Sequence, residues 1–146
     1  MKVRELMTKQ PTTVGPDATL GEIATLMKQD DCGSIPVVEG GRLVGIVTDR
    51  DIVVRGIAAG VDPKTQRVSR VMSSDPVTVG PDDDVTDAEK KMADRQIRRL
   101  PVVDAGKLVG IIVTAQIARA GDKRKVGETI REISEPTSGR ASHARG

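Results

Sequence analysis

The chain contains its own sequence twice. Displaced by 65 residues, Gly15-Pro16-Asp17 falls on Gly80-Pro81-Asp82, Ile35-Pro36-Val37-Val38 on Leu100-Pro101-Val102-Val103, and Leu43-Val44-Gly45-Ile46 on Leu108-Val109-Gly110-Ile111. Met7, Met27 and Ile52 meet Met72, Met92 and Ile117 without a gap, and 17 of the 47 positions from 7 to 53 are identical to their twins. A repeat of this kind means one supersecondary unit used twice, each copy burying a face the other leaves bare. Each unit is about 60 residues, too few for an ample independent core, so the copies are expected to share one.

Both copies carry the same local signals. A short apolar patch (Val3 to Met7, Val68 to Met72) precedes an extended stretch punctuated by proline and glycine. A helix follows. In copy one Thr19 and Glu22 have capping-box spacing, and Leu20, Ile23, Ala24 and Met27 share a face. In copy two Asp84 is the cap, with Val85, Ala88 and Met92 on the buried side. Two strands then follow, Ser34–Val38 and Arg42–Val47, joined through Glu39-Gly40-Gly41; copy two repeats them as Arg99–Val103 and Lys107–Val113. A second helix closes each copy, from Asp49 towards Ala59 and from Ala115 towards Ala120. The unit reads β-α-β-β-α. The expected divisions are repeat one over 1–62, repeat two over 63–122, a C-terminal helix over 123–133 and a disordered tail over 134–146.

Composition narrows the chemistry. There are 23 basic and 21 acidic residues, net +2, too even to claim nucleic acid or anionic lipid. No Phe, Tyr or Trp is present, so no ring can stack on a nucleic-acid base. The single histidine, His143, and single cysteine, Cys32, argue against a Ser-His-Asp or Cys-His centre and against a His/Cys metal site. Cys32 at the end of the first helix reads as an inert small side chain. Asp82-Asp83-Asp84 reads as a helix cap rather than a metal site, and Gly40-Gly41 as a turn rather than a phosphate loop. The basic run Lys123-Arg124-Lys125 is short enough to be a solvated surface. No apolar run approaches the ~18–20 residues of a membrane-spanning helix, and no signal region follows Met1, so a cytoplasmic setting is expected.

The β-α-β-β-α unit with Pro-Val-Val and then Leu-Val-Gly-Ile-Val-Thr-Asp-Arg-Asp-Ile resembles the CBS domain, named after cystathionine β-synthase. Two in tandem over residues 1–120 resemble the CBS pair, a regulatory module. The stretch Thr48 to Gly60 further resembles small stand-alone actinobacterial CBS proteins of the hypoxic-response type. The resemblance implies an α+β fold of two pseudo-symmetric repeats packed as one module. It also implies a homodimer, no enzymatic activity, and an adenosine-containing ligand between the repeats. AMP, ADP or ATP stand ahead of NAD or S-adenosylmethionine, and no cofactor is required. Signalling would pass to the dimer arrangement or to an effector protein, with no nucleic acid or membrane involved.

Family sites carry Gly-h-h-Thr/Ser-x-x-Asp, h being apolar, and copy one has Gly45-Ile46-Val47-Thr48-Asp49-Arg50-Asp51. A carboxylate at a helix start can accept from both ribose hydroxyls, and a threonine hydroxyl can donate to a sugar or phosphate oxygen. Thr48 and Asp51 equally have the spacing of a capping pair that needs no ligand. In copy two the equivalents are Val113 and Gln116, which lack the hydroxyl and the charge. The family also implies cations before the other repeat's Pro-Val to meet the phosphate. Copy two has Arg98-Arg99 there and copy one has Gly33-Ser34. One live site and one dead one are therefore expected. The base is expected against Pro11-Thr12-Thr13-Val14 and Ile35-Pro36, with Thr13, Ile35 and Pro36 as contacts. A structural or stress-response dimer that binds no small molecule is the alternative.

Overall fold

The computed structural model describes residues 1–121; the expected helix over 123–133 and tail over 134–146 lie outside them. A single 3₁₀ turn, Val3–Glu5, leads into β1 (Thr8–Lys9). Then come α1 (Leu20–Asp30), the hairpin β2 (Ser34–Glu39) and β3 (Arg42–Thr48), and α2 from Asp49. Copy two begins with the 3₁₀ turn Val68–Arg70 and continues through α3 (Val85–Arg95), β4 (Arg99–Asp104), β5 (Lys107–Val113) and α4 (114–121).

The caps form at the expected residues, and of the Thr19–Glu22 box the structure shows the Thr19 half. The Thr19 hydroxyl accepts from Glu22 N–H at 3.2 Å, and the Asp84 carboxylate accepts from Thr86 N–H at 3.1 Å. Gly40 and Gly41 take φ of +60° and +82°, the left-handed pair that lets two residues join twisted strands. Helix α2 departs from regularity after Asp51. It widens into a π-helical turn over Ile52–Gly56 and closes with a 3₁₀ turn, Ile57–Ala59. The Ile57 N–H there reaches the carbonyls of Ile52 and Val53. Gly56 packs so closely on α1 that an added Cβ would lie 2.8 Å from Leu20 Cδ1.

The two halves superpose register for register. Ser34 pairs with Thr48 and Glu39 with Arg42; their twins Arg99 and Val113, and Asp104 and Lys107, pair identically. Even the irregularity between Val37 and Val38 recurs between Val102 and Val103. The hairpins join where Arg42 pairs with Lys107, with Leu43 N–H on the Gly106 carbonyl and Leu108 N–H on that of Gly41. The fold is thus α+β, two pseudo-symmetric β-α-β-β-α repeats in one module.

The core corrects one expectation. There is not one shared core but two clusters. One gathers Leu20, Ile23, Met27, Ile35, Val37, Val47 and Ile52; the other gathers Val79, Val85, Ala88, Met92, Leu100, Val102, Ile112 and Ile117. Each is completed by the other copy. Val3 enters the second cluster, while Val68 and Val71 enter the first. The opening segments cross over: Thr8 pairs with Ile111, and Ser73 with Ile46. Burying a valine this way contributes roughly 1.5–3 kcal/mol and ties each repeat to its twin.

Candidate ligand-binding cleft

The crossing of Ser73 onto Ile46 carries the next residues of copy two over the end of β3. A cleft of about 650 Å³ opens there, lined by Thr48, Asp49 and Arg50 from copy one and by Asp75, Pro76, Val77, Arg95, Arg98, Arg99 and Pro101 from copy two. Thr48 ends β3 and Arg99 begins β4, so both side chains are held by strand ends rather than by a free loop.

Thr48 and Asp51 form a complete capping box. Thr48 N–H donates to Asp51 Oδ2 at 3.0 Å, and Asp51 N–H donates to Thr48 Oγ1 at 3.0 Å. Asp51 is half-buried, and its Oδ1 takes no hydrogen bond among the described residues. The capping reading and the ligand reading are therefore compatible: one carboxylate oxygen caps and the other is left over.

Arg99 is the anomaly. Its Nε is buried and has no hydrogen-bond partner among the described residues. A buried donor without an acceptor normally costs about 1–3 kcal/mol, more when charged. Arg50 and Arg95 line the same space, and neither guanidinium has a hydrogen bond or ion pair among the described residues. Arg98, also on the lining, is exposed. Carboxylates are fewer, namely Asp49 and Asp75. The arrangement can take an anion against copy two and offers the hydroxyl end of Thr48 across from it.

The structure brings Thr48, Arg98 and Arg99 together. It does not bring Thr13, Ile35, Pro36 or Asp51 to the lining. Ile35 is fully buried in the first core and Pro36 is also buried, while Thr13 is exposed. The stretch 11–14 runs beside its own β2, with Val14 N–H on the Pro36 carbonyl at 3.2 Å and Val38 N–H on the Val14 carbonyl at 2.8 Å. Its twins Pro76 and Val77, with Pro101, take the position expected of it, because the crossing delivers copy two's segment to copy one's hook. Arg50 and Arg95 had no motif to announce them; the twin of Arg95 is Asp30, so the repeat itself hid it.

The corresponding groups in copy two are satisfied internally. Gln116 Oε1 accepts from Val113 N–H at 2.9 Å, copying the Asp51 cap, and Gln116 Nε2 donates to Thr8 Oγ1 at 2.8 Å. Thr12 Oγ1 donates to Asp30 at 2.7 Å, so a carboxylate stands where the live cleft has Arg95.

The CBS domain family model matches residues 3–56 and 68–123. The chain belongs to the CBS-domain family. The CBS pair is similar to the CBS domain-containing protein YhcV of Bacillus subtilis, 49% identical over 116 residues, 80% of this chain and 82% of that one. It is similar to Hypoxic response protein 1 of Mycobacterium tuberculosis, 34% identical over 134 residues, 91% of this chain and 94% of that one. A crystal structure of Hypoxic Response Protein I with two coordinated zinc ions matches at TM-score 0.76 and 36% identity, over 82% of this chain and 98% of that one. Among the described residues of this CBS pair no three His, Cys, Asp or Glu side chains gather as a metal site. The CBS pair of protein MJ0100, solved in complex with 5′-methylthioadenosine and S-adenosylmethionine, matches at TM-score 0.72 and 27% identity, over 83% of this chain and 99% of that one. No helix among the described residues is long and apolar enough to cross a membrane.

Proposed function

We propose that this CBS pair is a non-enzymatic regulatory module of the cytoplasm that binds one adenosine-containing nucleotide per chain. The nucleotide lies between Thr48 and the Arg98-Arg99 pair, with its ribose at Thr48; Asp51 stands behind Thr48, off the cleft lining, and would reach the ribose with its unused Oδ1. The observation that carries this reading is the buried, unpartnered Nε of Arg99 on the cleft wall. A phosphate oxygen would satisfy it, and guanidinium meets phosphate bidentately. The adenosine ligands of the similar MJ0100 pair support the same class. AMP, ADP and ATP are the candidates ahead of NAD and S-adenosylmethionine. The nucleotide spans residues of both repeats, so it biases how they close on each other by its differential affinity for the two arrangements. An effector protein or a homodimer partner would read that change.

A thermal-shift screen of these five compounds tests the reading. At ligand near 100 times Kd the fold is expected to gain about 2.7 kcal/mol, roughly 5–10 °C for a chain of this size. No shift from any of them at millimolar levels would sink it. A structural or stress-response dimer would then stand, favoured by the capping box that Thr48 and Asp51 complete without a ligand.

A further inference from the structure

The cleft does not end at Arg95. A polar recess of about 490 Å³ continues from it, sharing Asp75, Pro76, Val77 and Arg95 and adding Thr78, Lys91 and Asp94. Arg95 stands on both linings, at the last turn of α3, exposed and without a partner among the described residues. Lys91 is already engaged, its Nζ donating to the Thr78 carbonyl at 2.8 Å. Arg95 is therefore the unpaired cation where cleft and recess meet. Arg50 is a second guanidinium on the cleft wall without a partner among the described residues.

A single phosphate presents three terminal oxygens. Its charge is at most about −2 at neutral pH, which two guanidiniums match one for one. Arg98 and Arg99 are the pair nearest the start of β4, and they suffice for that phosphate. Arg50 and Arg95 would be left facing the cleft unpaired. We propose that the ligand is a nucleoside di- or triphosphate rather than a monophosphate, and that Arg95 is the residue that distinguishes phosphate-chain length. This rests on the nucleotide reading above and goes beyond it in naming the ligand's charge and the residue that selects it. A phosphate chain running from Arg99 towards the recess meets Arg95 with its second or third phosphoryl group. An adenosine with no phosphate, or one carrying a positively charged sulfonium, leaves Arg50, Arg95 and the buried Arg99 Nε without an anionic partner.

Titration calorimetry on the full chain with adenosine, AMP, ADP and ATP reads this directly. In the wild type, ADP and ATP are expected to bind at least about tenfold more tightly than AMP, a 1.4 kcal/mol difference. Arg95→Ala is expected to bring ADP and ATP to within about twofold of AMP, leave AMP unchanged and flatten the salt dependence of ATP binding. Arg95→Lys, which keeps the charge, is expected to restore part of the ATP preference. Arg95 is exposed and unpaired, so a melting curve will show the variants folded. Equal wild-type affinity for AMP and ATP would overturn the inference while leaving the nucleotide reading standing. So would an Arg95→Ala variant that weakens AMP and ATP alike. Binding of no nucleotide by the folded chain would end both.

Discussion

At the residue scale, some identities between the copies are matched to each other across the pseudo-two-fold. Met7 and Met72 are twins, and so are Gly45 and Gly110. Met72 Sδ lies against Gly45 and Met7 Sδ against Gly110, where an added Cβ would stand only 2.6 and 2.7 Å away. The differences separate the two copies chemically. Asp51 and Gln116 make the same backbone cap, yet only Asp51 keeps a charge and an unused oxygen. Asp51→Ala and Gln116→Ala are both expected to lower unliganded stability by about 1 kcal/mol, the usual loss of a cap. Only Asp51→Ala is expected to abolish the nucleotide-induced melting shift, through a binding loss of about 1.5–3 kcal/mol. Identical behaviour of the two variants in the shift assay would remove Asp51 from the site. Arg99→Ala is expected to weaken AMP far more than adenosine. It is also expected to leave the unliganded melting temperature unchanged or raised, because it deletes a buried donor that has no acceptor.

At the element scale, the glycine in the middle of each long strand makes room for the other copy's opening segment, which crosses it. An added Cβ at Gly45 would lie 2.8 Å from the Ser73 carbonyl, and one at Gly110 would lie 2.8 Å from that of Thr8. These are backbone atoms held by the Ser73–Ile46 and Thr8–Ile111 pairings, so they cannot step aside cheaply. Gly45→Ala and Gly110→Ala are each expected to destabilise the fold by about 1–3 kcal/mol, the range for forcing extra volume into packed structure. Gly15→Ala, whose nearest atom would be 4.0 Å away, is the control. Urea unfolding measures all three. A Gly45→Ala loss no larger than that of Gly15→Ala would mean the crossing segment floats. Because that segment forms one wall of the cleft, Gly45→Ala is also expected to weaken the nucleotide.

At the scale of the whole molecule, α2 presents more apolar surface than one chain uses. Ile52 is buried at 7% exposure, but Val53, Val54 and Ile57 on the same helical stretch are exposed at 57%, 49% and 51%. Exposed aliphatic side chains gathered in this way are the surface through which a homodimer is expected to form. Light scattering at micromolar concentration is expected to give twice the 15.5 kDa chain mass. Val54→Glu with Ile57→Glu is expected to halve that mass while the chain stays folded; a wild-type monomer would discard the dimer. The N-terminus supplies a pH dependence. Arg4 and Lys2 pair with Asp82, and the terminal ammonium with Asp84, pinning copy one's first segment to copy two. Hydrogen bonds from the Thr86 hydroxyl and N–H, and then the terminal ammonium, lower the Asp84 pKa from 3.8 to about 2. The bond from Arg4 lowers that of Asp82. Depressed carboxylates stabilise the fold fully above their unfolded pKa and lose that contribution as pH falls through the folded value. The wild-type advantage over Asp84→Asn is thus expected to be intact above pH 4 and to shrink towards pH 2. An advantage that grew on acidification would contradict the assignment.

Much of the protein was legible in its sequence because the signals are local. Thr19 and Asp84 as caps, Gly40-Gly41 as a turn and the two hairpins depend on neighbours a few residues apart. The 65-residue repeat made the pairing of one copy a copy of the other. Thr48, Arg98 and Arg99 were placed together only through the resemblance to the CBS family, which implies cations before one repeat's Pro-Val opposite the other repeat's Thr-x-x-Asp. What the sequence did not hold was which segment crosses to which half. Position 11 and position 76 carry the same proline, and no periodicity says which one lies over Thr48. Only the exchange of Val3 and Val68 between the cores decides that, and it replaced Thr13, Ile35 and Pro36 with Pro76, Val77 and Pro101 on the cleft wall. It also produced two cores where one was expected, since each repeat gains the apolar volume it lacks from its twin's opening segment. The buried, unpaired nitrogen of Arg99 belongs to the same class of fact, because burial and the absence of an acceptor arise only when distant parts of the chain close around a side chain.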